Sequence, residues 1–179
     1  MTARHQRSDL GRRAAFFDRD GVINIDHGYV HTAEQLEFVA GAAAALRTCR
    51  DAGFLIFIVT NQSGIARGYY DEDALKRFHQ HLCAELAAHD ARVDDIRYCP
   101  HLEDAAIPAY RQACACRKPA PGMILDLAQT WSIDLTRSFM VGDKTSDMVA
   151  AAAAGVQGYQ FHGGNLHDFV EAILKGSGV

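Results

Sequence analysis

The sequence predicts an α/β fold, a parallel sheet of five strands or slightly more with helices on both faces. Three observations lead there. Strand and helix patterns alternate along almost the whole chain, as crossover connections between parallel strands require. The strands are continuous apolar runs, so both of their faces are buried. Three of those runs end abruptly in polar side chains, and the carboxyl ends of strands are where such sheets bind ligands. With 179 residues, 49% of them hydrophobic, the chain is long enough for one full core. Its formal charge of −4 provides no basic field for nucleic acid. No stretch approaches the roughly 18–20 apolar residues of a membrane span. We expect one soluble domain over residues 14–179 behind a flexible, basic tail over 1–13 that carries Arg4, Arg7, Arg12 and Arg13. No long apolar segment follows Arg12-Arg13, so it is not an export signal, and cytoplasm is the expected location.

The first strand, Ala14 to Phe17, runs straight into Asp18-Arg19-Asp20-Gly21. Charges at the tip of a buried strand are costly unless a cation or ligand compensates them. Taken alone, the stretch also fits a strand followed by an Asx-rich turn. Residues 24–31 carry no helical or alternating pattern but several groups able to hydrogen-bond a polyol; a plain surface connection has the same composition. Residues 42–52 read as an Ala-rich helix closed by Gly53. Phe54 to Val59 is the clearest buried strand, and it ends in Thr60-Asn61-Gln62-Ser63-Gly64. Hydroxyls, amides and free backbone N–H groups suit a phosphate better than a metal. A helix over 71–90 follows, capped by Asp71, with Leu75, Phe78, Leu82 and Leu86 on one face. Its His79, His81 and His89 have no second ligand pair at suitable spacing and read as solvent-facing or packed. A third strand spans 93–98.

The cysteines divide into two kinds. Cys49 and Cys83 sit singly within helical patterns, as small buried hydrophobes do. Cys99-Pro100-His101 and Cys114-Ala115-Cys116 offer four ligands of the types zinc prefers. Spacing of i, i+2 lets both members of each pair point to one centre in a turn. Four such ligands leave no open position, so a Zn²⁺ on Cys99, His101, Cys114 and Cys116 would be structural, clamping a long loop. Free thiols, or a disulfide formed on oxidation, are the alternative. Beyond the loop come Arg117-Lys118-Pro119 and a helix from Pro121 to Trp131. A fourth strand over 138–141 ends in Gly142-Asp143-Lys144-Thr145-Ser146-Asp147. The pattern closes with a helix over 148–154, a strand over 156–161 and a helix over 166–174.

A strand order 3-2-1-4-5 makes the tips of strands 1, 2 and 4 neighbours at the topological switch point. Asp18, Asp20, Thr60 and Asp143 then converge, and Lys118 reaches in from the start of the following helix. Carboxylates Asp18, Asp20 and Asp143 describe a hard, oxygen-ligated Mg²⁺ site. In such a centre Asp18 attacks phosphorus and forms an acyl phosphate. Asp20 protonates the leaving oxygen and later deprotonates water, while Thr60 and Lys118 hold the equatorial oxygens.

Phe17-Asp18-Arg19-Asp20-Gly21, Thr60-Asn61, Lys118 and Gly142-Asp143-x3-Asp147 resemble, in order, the four motifs of the haloacid dehalogenase superfamily, phosphatase branch. Dehalogenases of that superfamily lack the second aspartate of the first motif, so Asp20 argues for phosphoryl transfer. A finer match covers nearly the whole chain from Phe16. The segments 26–31, 61–68, 99–101 and 114–119 resemble the D-glycero-D-manno-heptose 1,7-bisphosphate 7-phosphatase family. The resemblance implies a capless, three-layer Rossmann-like fold with a zinc-stabilised loop, and Mg²⁺ and Zn²⁺ as cofactors. It implies removal of the C7 phosphate on the route to nucleotide-activated heptose for lipopolysaccharide. It implies substrate contacts at Asp26, His27, Gly28 and Tyr29 with Asn61, Gln62 and Ser63, Arg117 near the C1 phosphate, and Lys144 beside the metal. Without a cap domain, loops must set specificity. Histidinol-phosphate phosphatase, of the same branch, shares the motifs and a similar zinc loop; segments 26–31 and 64–68 favour heptose. An inactive phosphosugar-binding protein is the non-enzymatic alternative, against which intact Asp18 and Asp20 speak. The expected partner is a small sugar bisphosphate, with no nucleic acid and no membrane, acted on by a monomer.

Overall fold

A computed structural model describes residues 11–176. Five parallel strands lie in the order β3-β2-β1-β4-β5: β1 Arg13–Phe17, β2 Phe54–Asn61, β3 Asp95–Cys99, β4 Phe139–Gly142 and β5 Gln157–Gln160. The helices are α1 Ala42–Asp51, α2 Ser63–Ala66, α3 Glu72–Ala88, α4 Gly122–Trp131, α5 Thr145–Ala154 and α6 Leu166–Gly176. This is the expected three-layer α/β fold with its expected strand order. β1 explains the layering: its side chains alternate between two cores, and all of Ala14 to Phe17 are fully buried. Ala15 and Phe17 pack with Leu46 of α1, Leu82 of α3 and Val170 of α6. Ala14 and Phe16 pack on the other face with Leu127 of α4 and Ala150 of α5.

Local signals set the helix ends. The Asp71 carboxylate accepts from the Ala74 N–H at 2.7 Å and starts α3. Gly155, at φ 76°, closes α5 in a left-handed conformation. Cys49 is buried and Cys83 half-buried, as expected for packing cysteines. Residues 18–41, between β1 and α1, form a loop with a short 3-10 turn at Ala33–Gln35 and isolated bridges from Asn24 to Asp20 and Phe38. No helix among the described residues is long and apolar enough to cross a membrane.

One expectation is revised. Residues 1–10 of the expected tail lie outside the described residues, but 11–13 are ordered. Arg13 opens β1 opposite Phe54, and the Arg12 carbonyl accepts from the Asp134 N–H at 2.8 Å. Their guanidinium groups lie over the Phe54 and Trp131 rings, 4.5 and 5.4 Å from the centroids. Charge made these arginines resemble a tail; their apolar stems make them part of the fold. The polar stretch after β2 continues into the short helix α2 at residues 63–66.

Candidate active site

Adjacency of β1, β2 and β4 brings their carboxyl ends together. The Asp18 N–H donates to the Val141 carbonyl at 2.9 Å, so the ladder continues to the first aspartate. Lys118 meets it there, with Nζ 2.8 Å from Asp18 Oδ1, 2.7 Å from Asp147 Oδ1 and donating to the Val59 carbonyl at 2.8 Å. Asn61 locks the lysine to the end of β2. Its Nδ2 donates to the Lys118 carbonyl at 2.9 Å, and the Lys118 N–H donates back to Oδ1 at 3.0 Å. Lys118, Asp18 and Asp147 are all buried. Burial pushes the Asp18 carboxyl up to about 7 against the opposing pull of Lys118. Burial acts to lower Lys118, but the carboxylates of Asp18 and Asp147 outweigh it and its net shift is upward. Burial also raises Asp143, which Lys144 opposes and Asp147 reinforces.

Ligand oxygens of Asp18, Asp143 and Asp147 lie within 4.8 Å of one another. Asp143 Oδ1 is buried without a hydrogen-bond partner. Gly21 makes this approach possible: a Cβ there would meet Asp143 Oδ2 at 2.5 Å, and its φ of +87° suits glycine alone. The excess negative charge, the oxygen donors and the orphaned Asp143 oxygen fit a hard divalent cation such as Mg²⁺. The carboxylate set differs from the one expected, since the Asp20 side chain stays outside the cluster. Its oxygens accept from Arg19 Nη2 at 2.9 Å each, from Asn24 Nδ2 at 3.0 Å and from Gln62 Nε2 at 3.0 Å. Asp147 takes the place beside Asp18, with one oxygen near Lys118 and the other accepting from the Lys144 N–H at 3.0 Å.

Two adjoining cavities share Asp20, Asn61 and Lys144. The smaller, of ≈ 50 Å³, reaches Asp18, Thr60 and Lys118. The larger, of ≈ 310 Å³, is walled by Asp26, Gly28 and Tyr29 on one side and Gln62, Ser63 and Tyr70 on the other. Lys144 Nζ stands between Asp26 Oδ2 (3.5 Å) and Asp143 Oδ2 (3.8 Å). Thr60 Oγ1 accepts from Gln62 Nε2 at 2.8 Å. Two expected substrate residues lie elsewhere. His27 pairs with Glu37 at 2.9 Å. Arg117 Nη1 donates to the His101 carbonyl at 3.2 Å and lines a separate cavity of ≈ 430 Å³, which Lys118 also borders.

The sulfurs of Cys99, Cys114 and Cys116 and Nδ1 of His101 form the second cluster, all within 4.8 Å. The three cysteines are unbridged, with sulfur–sulfur separations of 2.9–3.4 Å against about 2.05 Å in a disulfide. Burial acts to raise the Cys114 thiol, but hydrogen bonds from Cys116 and Cys99 outweigh it and bring it down to about 7. Three sulfurs and one imidazole converging on a point fit a closed tetrahedral Zn²⁺ site.

The sequence reading gave no role to Arg19, Asn24 or Tyr70, and none to Asp147 beyond its place in the fourth motif. Asp147 carried a signal, lying four residues after Asp143. Tyr70 carried none: its hydroxyl donates to Gln62 Oε1 at 2.7 Å and its ring stacks on His31 at 4.3 Å.

Aspartates, a buried lysine and a hydroxyl at adjoining tips of a parallel sheet define a phosphoryl-transfer enzyme of the haloacid dehalogenase type. The HAD-hydrolase-like family model matches residues 115–168. A D-glycero-beta-D-manno-heptose-1,7-bisphosphate 7-phosphatase from Rhodopseudomonas palustris is 52% identical over 163 residues, 91% of each chain. One from Photorhabdus laumondii is 47% identical over 82% of this chain and 78% of its own. The crystal structure of D,D-heptose 1,7-bisphosphate phosphatase from B. bronchiseptica, complexed with magnesium and phosphate, superposes with a TM-score of 0.79 at 31% identity, covering 92% of this chain and 99% of that one. The chain belongs to the D-glycero-beta-D-manno-heptose-1,7-bisphosphate 7-phosphatase family.

Proposed function

We propose that this chain hydrolyses the C7 phosphate of D-glycero-β-D-manno-heptose 1,7-bisphosphate, giving heptose 1-phosphate and phosphate. One observation carries the reading. The buried Asp18–Lys118 pair opens past Asp20, Asn61 and Lys144 into a cavity walled by segments 26–29 and 61–63. That arrangement admits a terminal phosphate to the nucleophile and leaves a polyol among hydrogen-bonding groups. The β anomer follows from the substrate in the relatives' names.

Asp18 is the nucleophile: its carboxylate oxygen bonds to phosphorus, forming an aspartyl phosphate, as the bond between phosphorus and the C7 oxygen breaks and the C7–O bond stays intact. Asp20 gives a proton to the departing sugar oxygen, then takes one from the water that hydrolyses the acyl phosphate. Lys118 and Thr60 hold the equatorial oxygens, with Lys118 preplaced by its carbonyl bond to Val59. A Mg²⁺ held by Asp18 and Asp143 beside Asp147 would supply charge neutralisation between the anionic nucleophile and the anionic phosphate. Zn²⁺ on Cys99, His101, Cys114 and Cys116 would serve structure alone. Asp26, Gly28, Tyr29, Gln62, Ser63 and Lys144 contact the sugar. His27 and Arg117 reach it, Arg117 at the C1 phosphate, only if their side chains leave the partners they hold in this structure. On this reading the enzyme is a cytoplasmic monomer that supplies heptose for lipopolysaccharide, the small sugar-phosphate substrate being the one named for its relatives.

Phosphorus NMR of the reaction with Mg²⁺ tests this directly: the C7 signal gives way to inorganic phosphate while the C1 phosphate persists. Equal or better turnover of histidinol phosphate would overturn the substrate assignment.

A further inference from the structure

Arg19 lies between the two aspartates of the first motif and is completely shielded from solvent. A buried guanidinium has five N–H donors, and each one left unpaired is costly. Asp20 takes one edge, with Nη2 2.9 Å from both its oxygens and Nε 3.3 Å from Oδ1. Nη2 also donates to the Val30 carbonyl at 2.6 Å, tying the loop of residues 24–31 to the same group. On the far edge Nη1 lies 3.1 Å from Nε2 of His79, on α3, and the guanidinium sits 4.8 Å over the Phe78 ring. His79 is itself buried and can accept this bond only as a neutral ring with Nε2 unprotonated. Burial first, and then the Arg19 charge, hold its imidazole down to about 3, so the accepting form is the one present at neutral pH.

We propose that His79 is a positioning residue for the reaction: its neutral imidazole anchors Arg19, and Arg19 fixes the Asp20 carboxylate where it exchanges a proton with the leaving oxygen. Asp20 borders both cavities, at the junction where a phosphate bound at Asp18 meets its leaving group. Gln62, itself fixed by Tyr70 and Thr60, and Asn24 also donate to this carboxylate, and Arg19, the one charged partner and the one that reaches both oxygens, completes the clamp. The chain of contacts runs α3 to His79 to Arg19 to Asp20, without His79 touching the substrate. The inference rests on Asp20 being the general acid.

Leaving-group dependence separates positioning from mere support of the fold. A sugar alkoxide needs a proton as it departs; p-nitrophenolate does not. Relevant values are kcat/KM for heptose bisphosphate and for p-nitrophenyl phosphate, which report the first phosphoryl transfer. Asp20→Asn is expected to lose on the order of 10²–10⁴-fold on the sugar ester and far less on the aryl ester. His79→Leu is expected to lose about tenfold or more on the sugar ester, with the aryl ester changed by less than about twofold; His79→Gln, whose amide oxygen accepts from Arg19, restores most of the loss. Should His79→Leu not fold, Arg19→Lys, which keeps the charge but not the fork, must show the same split. Equal losses on both esters, or none on either, overturn the role of His79 and Arg19 when Asp20→Asn shows the split. If Asp20→Asn shows no split, the general-acid reading falls and this inference with it.

Discussion

The carboxylate centre at the strand tips and the Cys/His cluster of the 99–116 loop both draw ligand atoms within 4.8 Å, yet they are built by opposite means. The first collects Asp18, Lys118, Asp143 and Asp147 from far apart in the chain. Sheet order places them, and the core around β1, β2 and β4 holds them. The second collects its ligands from a short stretch with one 3-10 turn at Pro108–Tyr110 and with Gln112, Ala113 and Ala115 exposed. Charge balance differs too. In the first, Lys118 already offsets part of the negative charge, whereas in the second the converging ligands are all neutral or negative. The reaction centre is thus assembled by the fold, while the loop brings together a Cys/His set able to hold a metal that would clamp it.

Asp18→Asn should cost on the order of 10⁴-fold or more in kcat. The same change should leave the urea midpoint unlowered, because Lys118 still has Asp147. A midpoint that drops sharply would mean the centre is structural as well. Lys118→Met breaks both sides of the arrangement. With Asp18 and Asp147 left buried and unpaired, stability should fall by about 3–5 kcal/mol, and kcat of the folded fraction by about 10²–10³-fold. Chemical denaturation and steady-state kinetics on one preparation measure both.

Zinc removal should act in the opposite sense. Chelation, or Cys116→Ser, should raise amide exchange across residues 99–120 and lower the melting temperature, while exchange in β1, β2 and β4 stays slow. The folded fraction should lose less activity than Lys118→Met does, by about tenfold at most. A metal-free protein with unchanged exchange in the loop would remove the clamp from the account.

The last effect concerns pH. Below the ordinary histidine value of 6.5 the unfolded chain binds a proton that folded His79 refuses until about 3. Stability from this group is therefore full above 6.5 and lost as pH falls through that window. The slope is at most about 1.4 kcal/mol per pH unit. His79→Gln should flatten the acid limb of a stability–pH curve by that amount, and an unchanged limb would contradict the buried neutral ring.

The two regions also differ in how much the sequence disclosed. Spacing alone pairs Cys99 with His101 and Cys114 with Cys116, because i, i+2 neighbours share a turn. The carboxylate centre required topology, and alternating strands and helices with three polar strand ends were enough to bring Asp18, Thr60, Lys118 and Asp143 together. Rotamers were not legible. Asp20 turns to Arg19 because a buried guanidinium must be paired, and nothing in the linear pattern marks Arg19 as buried. His79 sits between apolar Phe78 and Leu82 positions on α3, where helical periodicity leaves its direction open until α3 is packed. The arginines at 12 and 13 were misread for the same reason, since charge is visible in a sequence and stem packing is not.

The central claim is that Asp18 is the nucleophile of a phosphatase built on these strand tips. Mass spectrometry of enzyme quenched in acid during turnover of the bisphosphate measures it most directly. A phosphoryl group on the peptide carrying Asp18, absent from the Asp18→Asn variant, is the predicted result. Normal turnover with no phosphoryl group at Asp18, or with one on another side chain, would contradict it.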